Sequence, residues 1–423
     1  MSLTPEGHLP TPGAQAGAPR VLLVLPSSTY RAADFLDAAR SIGAEVVIAS
    51  EEQQALAGTM RDRFQQVDLC SPENEASRLV SEGLAIDAVV GVDEQGVTLA
   101  AHIAAKLGLP HNPPRAVVTS RDKLLTRIVL SDAGLDQPAH RAVTVDGDVK
   151  FAANAVGYPC VVKAIGLSGS RGVIRANNIE ELASAAMRVS AIIAPSGGEE
   201  AEPFLIEGYV PGDEVAIEGL LRGGTLEILA LFDKPDPLEG PYFEETIYVT
   251  PSRLDEDTQR SIGETVARAC RAMGLVEGPI HAEVRLPEGR PLVLEVAARS
   301  IGGLCSRALR FGAGISLEEM ILRHALGMEI GDLKLSRGAS GVMMIPIESS
   351  GVLRSVEGVE DARAVDGVVG VEMTVPVGQE VKALPEGDRY LGFIFATAAQ
   401  PEGVEEALRA AHAKLRVVID ALG

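Results

Sequence analysis

The sequence contains no tryptophan, and aromatic residues occupy only 4% of its 423 positions. Hydrophobic residues still reach 46%, so the interior must be aliphatic, as in many α/β enzymes, and a disordered chain is excluded. A chain of this length is too long for one compact core, because domains usually hold roughly 100 to 200 residues. We expect three domains, the last with an additional C-terminal subdomain.

Basic residues are also scarce, since 38 Lys and Arg stand against 59 Asp and Glu, which leaves a formal net charge of −21. Such a surface repels a phosphate backbone, so we expect no nucleic-acid partner. The four cysteines are widely spaced without a CxxC pair, which argues against a zinc site and a disulfide framework. No apolar run approaches the length of a membrane span. We therefore expect a cytoplasmic protein without a membrane partner.

Three common enzyme motifs are missing as well. No GxGxxG follows the first apolar stretch, no Gly-Lys dipeptide forms a Walker loop, and no GxSxG elbow occurs. Alternating apolar and helical stretches nevertheless predict an open parallel α/β domain over residues 20–118, after a disordered tail at 1–19. Further changes of pattern predict a small domain at 119–212, a mainly antiparallel domain at 213–335 and a C-terminal subdomain at 336–423.

The C-terminal subdomain shows no chemistry in its sequence. We expect strands at 340–347, 368–374 and 390–397, followed by an amphipathic helix at 402–421.

Two apolar stretches, 281–286 and 292–296, are joined by Pro-Glu-Gly-Arg-Pro and predict a β-hairpin. If residue 286 opposes residue 292, Glu283 opposes Glu295. Directly opposed carboxylates lie about 4.5 to 5.5 Å apart at their Cβ atoms and need a cation, for which Mg²⁺ is suited. Arg299 falls on the same face, where it suits phosphate or carboxylate oxygens. Alternatively, both glutamates lie on the solvated face of an ordinary hairpin.

A glycine-rich loop at 166–172 follows a strand that ends in Lys163. Its Gly and Ser residues allow backbone N–H groups to converge on phosphate oxygens, to which Lys163 adds a positive charge. The alternative is a simple turn.

A third stretch, 204–214, joins an apolar strand to an acidic residue and can offer backbone groups and carboxylates to a nucleoside. It could equally be an interdomain linker with a Pro-Gly turn.

In order and spacing, these segments resemble the ATP-grasp superfamily: SRDK with Lys123, YPCVVK with Lys163, the glycine-rich loop, IEGYVPGDE, HAEVRL and LEVAARSIGG. The phrase FDKPDPLEGPYFEETIYVTP, residues 232–251, is most similar to bacterial L-amino-acid ligases. The resemblance implies an ATP-grasp fold, with a Rossmann-like N-terminal domain, a small ATP-binding lid domain and an antiparallel catalytic domain. It also implies an ATP-dependent ligase that activates a carboxylate as an acyl phosphate and joins it to an amine, giving an amide such as a dipeptide.

The resemblance further implies individual roles. Glu283 and Glu295 would hold Mg²⁺, with Mn²⁺ as an alternative, while Arg299 and Lys163 would act in catalysis. ATP would contact the remaining residues of the set: Lys123, Lys163, Ser168, Gly169, Ser170, Glu207, Tyr209, Val210 and Glu214.

Two weaker candidates stand apart from these motifs. Glu245 and Tyr248 could receive a substrate ammonium group and a polar atom, so Glu245 is included among the catalytic candidates, although a charged residue before a strand is usually solvated. His281 could be catalytic, or it could only pack or hydrogen-bond in the hairpin.

One position departs from the family pattern. Many members have Asn two residues after the second metal-binding Glu, and this chain has Ala297, which cannot coordinate a cation. Two alternatives therefore stay open: a ligase of another ATP-grasp branch, acting on bicarbonate or a phosphoribosyl amine, and a nucleotide-binding regulatory protein without turnover. The expected partners are small molecules, which are amino acids in the leading interpretation, and a homodimer is compatible with the sequence.

Overall fold

The computed structural model describes residues 17–52, 63–194, 202–336 and 338–421. Most of the predicted tail at 1–19 lies outside these ranges.

An open parallel sheet forms the N-terminal part, as the alternating pattern predicts. Its strand order is β3-β2-β1-β4, and every pair is parallel. Residues 21–25 are fully buried because helices cover both faces of this sheet. The strands are β1 Arg20–Val24, β2 Glu45–Ser50, β3 Phe64–Gln66 and β4 Ala88–Gly91, and the helices are α1 Ala32–Ser41, α2 Pro72–Ser81 and α3 Val97–Leu107.

A smaller antiparallel sheet follows, with the strand order β5-β8-β6-β7. Its strands are β5 His140–Val143, β6 Cys160–Ala164, β7 Val173–Ala176 and β8 Phe204–Gly208. The helices of this part are α4 Pro114–Arg121, α5 Lys123–Asp132, α6 Val149–Val156 and α7 Ile179–Ile193. Asp122 caps α5 by accepting a hydrogen bond from the N–H of Leu125, which fixes Lys123 in the first helical turn.

The largest sheet has eight strands and joins the predicted catalytic domain to the C-terminal subdomain. Its first five members are β9 Glu214–Arg222, β10 Thr225–Asp233, β11 Ile247–Thr250, β12 Gly278–Arg285 and β13 Leu292–Ala297. The others are β14 Ala339–Ile345, β16 Val368–Met373 and β18 Gly392–Ala398, while β15 Gly351–Glu357, β17 Glu380–Val381 and β19 Arg416–Asp420 form a separate sheet. The order β13-β12-β9-β10-β11-β14-β18-β16 carries one sheet across the predicted boundary at residue 335.

Four helices belong to this region: α8 Glu256–Met273, α9 Leu317–Ala325, α10 Val359–Arg363 and α11 Pro401–His412. Short 3-10 turns occur at Pro287–Gly289 and Cys305–Ala308.

The hairpin of β12 and β13 confirms that Glu283 opposes Glu295. The register near the turn is nevertheless shifted by one from the prediction, because Arg285, and not residue 286, opposes Leu292. A β-bulge at Leu294 inserts one unpaired residue and restores the expected pair.

The predicted terminal helix at 402–421 is wrong in its second half. Helix α11 ends at His412, and Arg416–Asp420 form β19, which pairs with β15. The β-branched run Val417-Val418-Ile419 favours a strand, and a paired partner strand outweighs the weak helical periodicity.

The turn before β19 passes close to Gly358. This glycine has φ 83°, and a Cβ atom there would lie 2.0 Å from the backbone oxygen of Lys414. The backbone of residue 414 must therefore move if any side chain is added.

We predict that Gly358→Ala lowers the thermal unfolding midpoint more than Gly108→Ala does. Gly108 also has a positive φ, of 68°, but its Cβ direction is open, so both variants share a left-handed backbone cost of about 1 kcal/mol. Only Gly358→Ala adds the clash. Differential scanning fluorimetry checks this, and equal shifts for the two variants would contradict the described path of the chain.

Candidate active site

One cavity of about 300 Å³ lies where the N-terminal part, the small sheet, the large sheet and the C-terminal strands meet. The structure brings all the predicted site residues to its wall: Lys123, Lys163, Ser168, Gly169, Ser170, Glu207, Tyr209, Val210, Glu214, Glu245, Glu283, Glu295 and Arg299. Their functional roles stay predictions. Their convergence from distant segments makes this cavity the candidate active site.

Glu207 lies at the centre of a buried ion-pair network on the small sheet. Arg127 Nε lies 2.6 Å from Glu207 Oε1, and Lys163 Nζ lies 2.7 Å from Oε2. Burial alone would raise the pKa of Glu207, but the two cations lower it to about 2. Both carboxylate oxygens are thus engaged, which points to neighbouring backbone, and not to this side chain, for contact with an adenine ring.

The next two residues provide such backbone groups. The Tyr209 N–H donates to the Pro159 carbonyl at 3.0 Å, and the Val210 carbonyl accepts from Arg285 at 2.7 Å. The other two backbone groups of these residues are an acceptor, the Tyr209 carbonyl, and a donor, the Val210 N–H. An acceptor next to a donor suits the edge of a purine base.

Arg127 also ties the small sheet to the hairpin of β12 and β13. Its guanidinium donates to the Leu294 carbonyl at 3.0 Å and to the Val293 carbonyl at 3.4 Å, at the bulge beside Glu295. Sequence reasoning missed Arg127, whose only signal is a cation within the buried face of an amphipathic helix.

The glycine-rich loop folds over the cavity. Gly169 and Ser170 adopt left-handed conformations, with φ of 64° and 57°. Lys123 donates from Nζ to the Leu167 carbonyl and lies 3.5 Å from Glu295 Oε2. The loop is therefore anchored to the same lysine that approaches one of the opposed glutamates.

Lys234, a second residue that sequence reasoning missed, lies among three carboxylates. Its Nζ is 2.7 Å from Glu214 Oε1 and 3.5 Å from Glu283 Oε1, and it also contacts Glu245. Burial would lower the pKa of Lys234, but the three carboxylates raise it well above its ordinary value. This ammonium thus neutralises a group of acids whose oxygens lie within 4.8 Å of one another. The sequence signal for Lys234 was its position in the FDKPDP phrase.

Glu245 is the most unusual acid of this group. Burial raises its pKa, Lys234 lowers it, and Glu283 and Glu214 raise it again, so that the value is about 7. Tyr248 donates a hydrogen bond to Glu245 Oε1 at 2.8 Å. The carboxyl group can therefore exchange a proton near neutral pH.

Glu283 and Glu295 have looser contacts. The nearest lysine nitrogen is 3.5 Å away in each case, and about a quarter of each side chain is exposed toward the cavity. Opposed hard oxygen donors that face a cavity suit a divalent cation such as Mg²⁺. The residues present therefore fit the metal that the resemblance implies.

Arg299 is held in the cavity wall by its own hydrogen bonds. Its Nε lies 2.8 Å from Glu94 Oε2, and its Nη1 donates to the Ser300 carbonyl at 2.9 Å. Arg31, which is buried, donates to Ser300 Oγ at 2.8 Å and to the Val92 carbonyl at 2.7 Å. Glu94 and Arg31 of the N-terminal part thereby fix Arg299. The sequence pattern did not indicate this contribution.

His281 lies beside the pair formed by Glu283 and Glu295. Its Nδ1 is 2.6 Å from Oε1 of the fully buried Glu218, and its Nε2 is 3.8 Å from Glu283 Oε1. Burial would lower the pKa of His281, but Glu218 and Glu283 raise it to about 9.

The C-terminal part also contributes to the cavity wall, although its sequence shows no chemistry. Asp388, Tyr390 and Met344 line the cavity because β14 and β18 continue the large sheet.

Among the described residues, no helix combines the length and apolar character needed to cross a bilayer.

Comparisons with protein families match three parts of the chain. An ATP-grasp domain matches residues 156–308, an ATP-grasp N-terminal domain matches 36–111, and an L-amino acid ligase C-terminal domain 2 matches 343–420.

Among individual relatives, the D-alanine–D-alanine ligase of Gloeobacter violaceus is 30% identical over 231 residues, or 51% of this chain and 72% of that protein. The alanine–anticapsin ligase of Bacillus subtilis is 27% identical over 255 residues, or 56% of this chain and 53% of the relative. The chain thus spans about half the length of the alanine–anticapsin ligases. The L-amino acid ligase structure from Bacillus licheniformis superimposes with a TM-score of 0.80 at 24% identity, covering 96% of this chain and 100% of that one.

The Glu207 network leads to a stability prediction. Arg127→Met should lower the unfolding free energy at pH 7 by about 3 to 5 kcal/mol, because it removes one partner of a buried ion pair. The loss should shrink as the pH falls from 4.5, the ordinary Glu pKa, to about 2, the pKa of Glu207 in the folded protein, because protonation of Glu207 then removes the same ion pair from the wild-type protein.

Thermal melts from pH 7 down to about pH 2.5 measure this effect. Arg40→Met is the control, since Arg40 pairs with Asp37 at an exposed site. A loss that does not depend on pH would argue against the described network.

Proposed function

Because the chain belongs to the ATP-grasp superfamily of ATP-dependent carbon–nitrogen ligases, we propose that it joins two amino acids into a dipeptide through an acyl phosphate. The observation that carries the proposal is the single cavity in which opposed Glu283 and Glu295 face Arg299 and two lysines. The identified relatives that act on amino acids, and the match to an L-amino acid ligase C-terminal domain, support this choice of substrates.

At the nucleotide end, the backbone of Tyr209 and Val210 would meet the adenine edge, with Glu214 near the ribose. Lys123 and Lys163 would bind phosphate oxygens, and the loop through Ser168, Gly169 and Ser170 would cover them. Glu207 would orient Lys163 through their 2.7 Å ion pair. These groups position the γ-phosphoryl group and balance its charge.

When bound between Glu283 and Glu295, Mg²⁺, or Mn²⁺ in its place, would neutralise charge on the transferring phosphoryl group. A carboxylate oxygen of the first substrate attacks phosphorus, and ADP leaves. Arg299, held by Glu94, would stabilise oxygens of the acyl phosphate and of the tetrahedral intermediate that the amine forms by attack on the carbonyl carbon.

The second amino acid must lose a proton to become a nucleophile. Glu245, whose pKa is about 7, would receive its ammonium group and accept the proton. Collapse of the tetrahedral intermediate then breaks the carbon–oxygen bond and releases phosphate, which leaves an amide.

We expect phosphate release only when a carboxylate donor and an amine acceptor are both present. A screen over pairs of amino acids with mass spectrometry of the products tests this. Glu295→Gln should lower turnover at least about a hundredfold, because it removes one of two opposed oxygen donors. Glu288→Gln, in the exposed turn of the same hairpin, should leave turnover unchanged.

Phosphate release with bicarbonate or a phosphoribosyl amine, and none with amino-acid pairs, would assign the chain to another branch. Nucleotide binding by calorimetry without any turnover, unchanged in Ala297→Asn, would instead indicate a regulatory protein. Near-normal activity of Glu295→Gln would refute the metal assignment.

Closure of the lid rests on contacts with the C-terminal part. Arg188 of α7 forms a two-pronged ion pair with Glu386, at 2.6 and 2.8 Å. The Gly172 N–H donates to the Pro385 carbonyl at 2.8 Å. The same segment continues to Asp388 and Tyr390 in the cavity wall, so lid position and substrate wall are linked.

We predict that Glu386→Gln raises the ratio of phosphate released to amide formed. An opened lid admits water to the acyl phosphate, and a half-exposed pair worth about 1 kcal/mol permits a rise of up to about fivefold. The control is Glu360→Gln, which alters an exposed pair on α10. Parallel phosphate and product assays measure the ratio, and an unchanged ratio would show that the pair does not hold the lid.

A further inference from the structure

The position that lacks the usual amide lies directly opposite a histidine. Ala297 of β13 pairs with His281 of β12, and the neighbouring pair on the same face is Glu283 with Glu295. Since alternate residues of a strand share one face, these four residues form a two-by-two patch. Ala297 offers a methyl group where a ligand would be expected, and the imidazole lies across from it.

The two nitrogens of His281 have different surroundings. Nδ1 is bound by Glu218, which is fully buried and lies 2.6 Å away. Nε2 lies 3.8 Å from Glu283 Oε1, which is beyond hydrogen-bond distance, and the residue lines the cavity. A carboxylate behind one nitrogen and an open side at the other is the arrangement found in carboxylate–histidine–metal groups.

We propose that His281 Nε2 is the third protein ligand of the divalent cation, beside Glu283 and Glu295, and replaces the amide that Ala297 cannot provide. This inference rests on the metal site of the proposed function, but not on the identity of the substrates. Cis ligands around a small dication lie about 3 Å apart, so the 3.8 Å separation needs only a small rotation of side chains.

With Nδ1 turned toward Glu218, the imidazole presents Nε2 to the cavity, and a proton carried by Nε2 would pass to solvent when the ligand bond forms. The Glu218 carboxylate behind Nδ1 increases the basicity of Nε2 as a ligand.

A nitrogen ligand changes which metal is preferred. Imidazole suits Mn²⁺ and Co²⁺ better than Mg²⁺, which favours oxygen donors. We therefore expect the site to bind Mn²⁺ more tightly than Mg²⁺. The preference for Mn²⁺ should be smaller in the double variant Ala297→Asn with His281→Gln, where an amide oxygen replaces the ring nitrogen.

Electron spin-echo envelope modulation of the full chain with MnCl₂ and ADP tests the ligand directly. The spectrum should contain nitrogen modulation that changes on labelling histidine with ¹⁵N and disappears in His281→Gln, with manganese affinity reduced about tenfold or more. His412→Gln, at the end of α11, is the control and should retain both. The labelled wild-type protein gives an answer even if His281→Gln folds poorly.

Absence of histidine modulation in the wild-type protein, or its persistence in His281→Gln, would overturn the proposal and leave His281 as a residue that only positions Glu283. The measurement uses neither carboxylate nor amine substrate. Histidine modulation with a negative amino-acid screen would thus uphold the ligand and refute the substrates, whereas the reverse result would refute His281 alone.

Discussion

Six glutamates line one cavity, and each loses most of its hydration there: Glu94, Glu207, Glu214, Glu245, Glu283 and Glu295. Unpaired carboxylates in such a place are costly, so the fold must bring cations to them. Arg299 forms an ion pair with Glu94. Both Arg127 and Lys163 pair with Glu207, and Lys234 pairs with the group around Glu214. The cations come from the small domain and the large-sheet region, and Glu94 comes from the N-terminal part, so charge balance in the cavity and assembly of the domains are one requirement.

The strength of these pairings differs in a way that suits the proposed chemistry. Glu207 and Glu214 have both oxygens engaged at short distances and act as fixed structural charges. Glu283 and Glu295 have only distant lysines, which a dication can outcompete. Glu245 lies between these extremes, with a pKa near neutrality. One cluster thus contains fixed charges, ligand positions and a proton acceptor.

Sequence reasoning succeeded where a signal is local. The hairpin, the glycine-rich loop and the pairing of Glu283 with Glu295 depend on residues close in the chain, and all were predicted. Arg127 was missed, and so was Glu94 as the partner of Arg299, because the paired residues are distant in the chain: Arg127 is 80 residues from Glu207, and Arg299 is 205 residues from Glu94. The error over residues 416–420 has the same origin, since a pairing with β15 decides their conformation.

The bulge at Leu294 has a consequence for how related chains should be aligned. It absorbs one residue between the turn and Glu295, so the spacing from the turn to the second ligand is not a fixed count. A homologue whose turn is one residue longer or shorter can preserve the same opposed acids by losing or moving the bulge. Gap placement by counting from the hairpin turn at Pro287–Gly289 would then misassign the second acid, whereas alignment anchored on the two facing carboxylates would not.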